Sequence, residues 1–348
     1  MSRILMIGLL LCGLLSACTK KEQVSYDKKE VNLSIWGNYL SPELQAQFEK
    51  ETGIKINISN YSSNEELLAK IQMGSSGIDV AVPSDYMVDI MRKMSLLEPL
   101  KAELIPNKNL VSTEFLKQNF DPENQFSLPY TWTTVGIAVN RELYKGAVHS
   151  WKDLLDNPQL KGKFALLDDV RETMGAALKL HGYSVNTNNA AEIQKAKNTL
   201  LTAKKNIKMF SSDTIDILNN KEVAAAQAYS SDALQAAVKS PGKIEYIIPD
   251  EGTTFAIDNL VIVKGAKHPE AAHQLINFLL SENAEINKVK TILGGPVLKD
   301  TQGKLPKELQ NNQALFPPDS TLKKMERIHD LGEHNKLFED SWTEIKTK

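Results

Sequence analysis

Cysteine is almost absent from this 348-residue chain: there are two, Cys12 and Cys18, both near the N-terminus. Two cysteines build neither a disulfide framework nor a four-thiolate zinc site. Charge of one sign is missing as well. Forty-one basic residues against 43 acidic ones leave a formal net charge of −2, so the chain lacks an electrostatic footprint for nucleic acid. Arginine is scarce, with four beyond residue 17 against 36 lysines. That composition disfavours a cleft made to clamp carboxylate or phosphate, the task for which arginine is preferred. The six histidines show no metal-ligand spacing, and neither a G-x-S-x-G elbow nor a phosphate-cradling glycine loop occurs. Nothing here assembles a nucleophile–base pair, so an enzyme and a cofactor are not expected. With 42% hydrophobic residues, 18 Gly and 14 Pro, the chain is neither disordered nor fibrous but globular.

Long apolar runs are missing except for one, the twelve residues from Ile4 to Leu15. As a helix it would span about 18 Å, short of a hydrocarbon core of about 30 Å. It reads as the hydrophobic region of a secretory signal. The run ends in Leu15-Ser16-Ala17-Cys18, which resembles the lipobox of bacterial lipoproteins. The resemblance implies a signal peptide over 1–17, cleavage after Ala17 and a diacylated Cys18. Two acyl chains suffice for stable anchoring, with 18–30 as a polar tether. An extracytoplasmic, lipid-anchored protein without free thiols is expected, in the periplasm or on the outer face of the cytoplasmic membrane.

Beyond the tether, short apolar runs alternate with longer amphipathic stretches. Strands are predicted at Val31–Trp36, Ile54–Ile58, Ile78–Val82, Val135–Val139, Lys163–Leu167, Val223–Ala228, Glu245–Ile248 and Leu260–Val263. Between them fall helices such as Glu43–Thr52, with Ser41 as N-cap, Pro42 in the first turn and Gly53 just past the end. Glu65–Met73, Thr173–His181, Ala190–Ala203 and Pro269–Leu280 are further helices. This alternation predicts an α/β fold with mostly parallel sheets flanked by helices. About 300 residues is large for one core, so two lobes are expected. Leu128–Gly136 and Glu251–Asn259 are the candidate crossings, giving lobe 1 as 31–133 plus 259–302 and lobe 2 as 134–258 plus 303–348. A cleft between the lobes is then a favoured place for a small ligand.

Two motifs, Trp36-Gly-Asn38-Tyr39 and Val82-Pro-Ser84-Asp-Tyr86, fall where predicted strands end, the usual ligand edge of open α/β sheets. Two others are Asp168-Asp169-Val-Arg-Glu172 and Asp258-Asn-Leu-Val-Ile, the last immediately before an apolar strand. The i, i+3 spacing of Asp169 and Glu172 sets both carboxylates on one helical face, and the same pattern is also a capping box. Asp258 before an apolar run reads equally as a turn former. Each aromatic could be plain packing.

Together with Glu51-Thr-Gly-Ile-Lys55, Ser127-Leu-Pro-Tyr-Thr-Trp132 and Leu275-Ile-Asn-Phe-Leu-Leu280, the ordered set resembles the spermidine/putrescine-binding proteins of bacterial ABC transporters (PotD type). The resemblance implies a two-lobed periplasmic-binding-protein fold (type II), monomeric, that closes on a polyamine and hands it to an inner-membrane permease. A polyamine-sensing lipoprotein, or a binder of another small cation, would present the same cleft. The implied ligand residues are Trp36, Asn38, Tyr39, Ser84, Tyr86, Asp169, Glu172, Tyr229, Phe255 and Asp258. Carboxylates would pair with ammonium groups, and aromatic faces would cover the methylenes and attract the cations. Departures from the family pattern are Asn38 in place of Glu, Tyr229 in place of Trp, and Ala256 in place of Trp with Phe255 as its neighbouring substitute. Gly295 and Ile328 stand where the family offers Tyr and Gln.

Overall fold

The computed structural model describes residues 29–74 and 76–348. The signal segment 1–17, Cys18 and nearly all of the 18–30 tether lie outside the described residues.

The chain opens as predicted. Strand β1 (Glu30–Trp36) leads into helix α1 (Pro42–Thr52), where the Ser41 hydroxyl accepts the Leu44 N–H at 3.1 Å. Gly53 ends the helix at φ 69°, a left-handed conformation that costs glycine little, and its N–H reaches the Glu49 carbonyl at 2.9 Å. Strand β2 (Lys55–Tyr61), helix α2 (Asn64–Gln72), strand β3 (Val80–Ala81), helix α3 (Asp85–Lys93) and strand β4 (Leu97–Glu98) follow. Strand β5 (Ser127–Asn140) is 14 residues long and buried throughout. It absorbs both the predicted strand Val135–Val139 and the aromatic- and threonine-rich stretch before it, because such residues suit a pleated surface.

The second half of the chain comprises helix α4 (Trp151–Leu155), strand β6 (Phe164–Leu166), helices α5 (Val170–Leu180) and α6 (Ala190–Lys204), strand β7 (Ile207–Phe210) and helix α7 (Thr214–Asn219). Strand β8 (Ala225–Tyr229), helix α8 (Ser230–Lys239), strands β9 (Ile244–Ile247) and β10 (Phe255–Val263) and helices α9 (Pro269–Leu279) and α10 (Glu282–Thr291) come next. The short, partly exposed, lysine-bearing edge strand β7 has no clean two-residue apolar alternation and was not predicted. The C-terminal helix Asn335–Thr347 buries Phe338 and Ile345 in the core beneath α5 and α6.

The strands run in the order β2-β1-β3-β10-β5-β8-β6-β7. The outer pairs β1–β2, β1–β3, β6–β7 and β6–β8 are parallel, but β5 and β10 run antiparallel to each other and to their neighbours. The sheet is therefore mixed, a correction to the mostly parallel expectation. Long strands that pass from one core to the other enter each half against its local direction, which a βαβ pattern does not disclose. One core gathers Leu33, Phe48, Tyr130 and Ile257, and another gathers Ile137, Trp151, Phe164 and Leu178. β5 contributes its first half to the former and its second half to the latter. The result is a two-lobed α/β fold whose strand ends face each other across a cleft.

Candidate ligand-binding cleft

The sequence motifs meet at the same cavity, of about 390 Å³, most of them where a strand gives way to a loop or helix. Trp36 closes β1, Ser84 caps α3, Asp169 caps α5, Tyr229 ends β8 and Asp258 lies inside β10. Nine of the ten residues expected at the site line it: Trp36, Asn38, Tyr39, Ser84, Tyr86, Asp169, Glu172, Tyr229 and Asp258. Asn38 is exposed at its position, while Tyr39 and Tyr86 are buried.

The exception is Phe255. Side chains alternate across a strand, so Ala256 and Asp258 face the cleft whereas Phe255 and Ile257 face a separate cavity of about 790 Å³. There Phe255 packs on Trp132 with ring centroids 5.3 Å apart. A neighbouring position on a strand cannot replace a wall on the opposite face, so Phe255 does not stand in for the missing aromatic at 256. Gly295 is also elsewhere: a Cβ on it would lie 2.0 Å from the Trp132 indole. Ala256 and Ile328 do line the cleft, so those two departures alter its wall.

The aromatic wall is held by shared acceptors. The Trp36 indole N–H donates to the Val82 carbonyl at 2.9 Å, and the Tyr61 hydroxyl donates to the same oxygen at 2.5 Å. Their ring centroids are 4.6 Å apart. Tyr61 was not expected at the site, although its place at the end of β2 matches that of Trp36 at the end of β1.

Seven carboxylates line the cavity: Glu66, Asp85, Asp169, Glu172, Asp213, Asp232 and Asp258. Glu66, Asp85, Asp213 and Asp232 were not singled out; Asp85 directly follows Ser84, and Asp232 lies three residues past Tyr229. Asp169 resolves the capping question. Its oxygen accepts the Glu172 N–H at 3.0 Å, but no reciprocal bond closes a box; the Glu172 carboxylate instead accepts the Thr254 hydroxyl. Asp258 accepts the Ser84 hydroxyl at 2.7 Å, and Tyr229 donates to Asp169 at 3.3 Å.

The Lys70 ammonium holds Glu66 below its ordinary value, while burial raises five of these acids. It pushes Glu172 up to about 8, helped by the neighbouring Asp169 charge and opposed by the Thr254 bond. Burial lifts Asp85 to about 7 against the pull of Arg327, and lifts Asp258 to about 6 against the hydroxyls of Ser84 and Tyr39. Burial also raises Asp232 to about 7. Asp169 rises by burial too, although it caps a helix. First-turn positions on α3, α5 and α8 soften the cost, because helix N-termini favour negative charge. Arg171 tempers Asp169 and Glu172 by its charge but bonds to neither. Its guanidinium donates to the Val185 and His329 carbonyls at 3.2 and 3.0 Å, stacks 4.6 Å over Phe338, and is not among the cavity's lining residues. Such a cleft is short of positive charge. Among the described residues no cluster of His, Cys, Asp and Glu is arranged to hold a metal ion.

A ligand enclosed between two α/β lobes, at strand ends, by walls contributed from both sides, is the design of a solute-binding protein. Residues 43–317 match the bacterial extracellular solute-binding protein family, and the chain belongs to it. It is 35% identical over 315 residues to the spermidine/putrescine-binding periplasmic protein of Escherichia coli, covering 89% of this chain and 90% of that one. It is 30% identical to the putrescine/cadaverine-binding protein of Pseudomonas aeruginosa over the full length of both. Among solved structures, the spermidine/putrescine ABC transporter substrate-binding protein PotD of Streptococcus pneumoniae superposes with a TM-score of 0.78 at 30% identity, covering 92% of this chain and 99% of that one.

Proposed function

We propose that this chain is the substrate-binding subunit of a polyamine ABC importer, capturing putrescine or spermidine between its lobes and presenting it to a membrane permease. The observation that carries the reading is a set of five carboxylates with raised pKa around one aromatic-walled cavity, Asp85, Glu172 and Asp258 buried and Asp169 and Asp232 half-buried. Carboxylates kept protonated by desolvation are poised to ionise when a cation arrives, and charge pairing inside a closed cleft exceeds its value in water. An alkyl diamine or triamine supplies ammonium groups at both ends and methylenes for Trp36, Tyr39, Tyr61, Tyr86 and Tyr229. The names of the similar proteins agree with that chemistry.

The ligand is held and released unchanged. The lobes meet along β5 and β10, so the limits 31–133 plus 259–302 and 134–258 plus 303–348 serve as rigid units about that crossing. A monomer tethered through lipid on Cys18 completes the reading. Isothermal titration of the purified mature chain with putrescine, spermidine and spermine tests it. Micromolar or tighter binding of at least one is expected, and absence of binding to all three overturns the proposal.

A further inference from the structure

A pair of charges lies in the core behind the cleft. Lys288 and Glu285, on successive turns of α10, are each 1% exposed and form an ion pair. Such a pair adds little net stability, because desolvation offsets the attraction, and apolar residues of similar volume often serve as well. What this pair touches explains its place better than stability does.

Opposite Asp258 the pairing of β5 with β10 slips. Thr131 faces Asp258 and Pro129 faces Asn259, leaving Tyr130 without a partner. This is a β-bulge, a feature that re-aims side chains next to functional sites. The Tyr130 carbonyl accepts the Lys288 ammonium, which also lies 4.5 Å over the Tyr130 ring. A buried carbonyl outside the ladder needs a donor. The Tyr130 hydroxyl in turn donates to the Tyr39 carbonyl at 2.5 Å. Glu285 anchors the ammonium while its other oxygen accepts the Val297 and Leu298 N–H groups at 2.5 and 3.0 Å. No apolar pair can satisfy these backbone groups.

We propose that Lys288 and Glu285 are positioning residues: together they hold the Tyr130 bulge of β5, which lies against Asp258 on β10, and fix the backbone of Tyr39. Neither touches the cavity. The inference rests on the polyamine reading only for its binding arm.

The test uses the mature full-length chain with Lys288→Met, and Glu285→Gln as a second variant should the first fail to fold. In the ligand-free protein, amide exchange at Asn259 and Tyr39 accelerates while that of α6 in the other lobe is unchanged. Uniform acceleration, or none, overturns the inference. In titrations with putrescine and spermidine the variant binds about tenfold more weakly, and that loss disappears when it is combined with Asp258→Asn. Equal losses in both backgrounds, or wild-type affinity beside a lowered melting temperature, overturn it as well. If the unaltered chain binds no polyamine, the functional proposal falls and the exchange measurement alone decides this one.

Discussion

The Ser84 hydroxyl donates to the Asp258 carboxylate at 2.7 Å, joining residues 174 positions apart in the chain. The bond ties the start of α3 to β10, and a backbone bridge between the same two residues backs it. Ser84 accepts in turn from the Asn64 amide at 3.2 Å. Asp258 therefore enters the cleft in a preset orientation, which lowers the entropic cost of binding a flexible ligand.

Asp258→Asn should weaken polyamine binding at least about tenfold, the equivalent of one charge-assisted hydrogen bond. Glu172→Gln should do the same. Both proteins should remain folded, since each substitution removes a charge that burial already disfavours. Titration calorimetry with circular dichroism checks both points; unchanged affinity in the two variants would reject the site.

Affinity should rise with pH. Glu172 at about 8, Asp85 at about 7 and Asp258 at about 6 are raised above their ordinary values. A dication must displace protons from them at low pH, so binding should strengthen from pH 5 to 8 with net proton release. Without ligand the sign reverses. A carboxyl whose folded pKa is raised contributes stability that is complete below its unfolded value and fades as pH climbs through the folded one. The melting temperature of the free protein should fall over the same window, and the increment from added putrescine should grow. Calorimetry in buffers of different ionisation enthalpy, with melting curves, measures both trends.

Asn38→Glu should shift preference toward spermidine over putrescine by a few-fold only. Position 38 is exposed, and exposed charge pairs contribute about 0.2–1 kcal/mol. The gain should shrink in high salt. A ratio of the two affinities that stays constant would place residue 38 outside the ligand's reach.

Gly295→Ala should destabilise the fold by roughly 1–3 kcal/mol, as overpacking does, because its Cβ would meet the Trp132 indole at 2.0 Å. Affinity of the folded fraction should change little, since position 295 does not line the cleft. Denaturant unfolding alongside titration separates the two effects.

Cys18→Ser should abolish incorporation of radiolabelled fatty acid into the protein. Continued labelling would refute the lipid anchor.

Much of this protein is readable residue by residue where the cause is local. Ser41, Pro42 and Gly53 bracket a helix through their own caps and φ preferences, and the positions of Trp36, Ser84 and Asp169 after strands follow from neighbouring apolar runs, whereas Asp258, expected just before a strand, lies inside β10. Other features depend on groups far apart in sequence. Phe255 and Ala256 are adjacent, yet the pleat sends one to each side of β10, and which side faces the ligand is set by packing against Trp132. Asp169 and Glu172 share a capping spacing, but Thr254, 82 residues from Glu172, donates to the glutamate in place of the reciprocal cap bond. The bulge at Tyr130 has one local mark, Pro129, which cannot donate to the ladder, but the ammonium that meets the freed Tyr130 carbonyl lies 158 residues away. Composition and periodicity settle which segments fold and into what, since those choices rest on short-range sterics and burial. Side-chain direction, shared acceptors and the pKa values of buried acids belong to the assembled lobes, because they arise from contacts that exist only after distant strands have met.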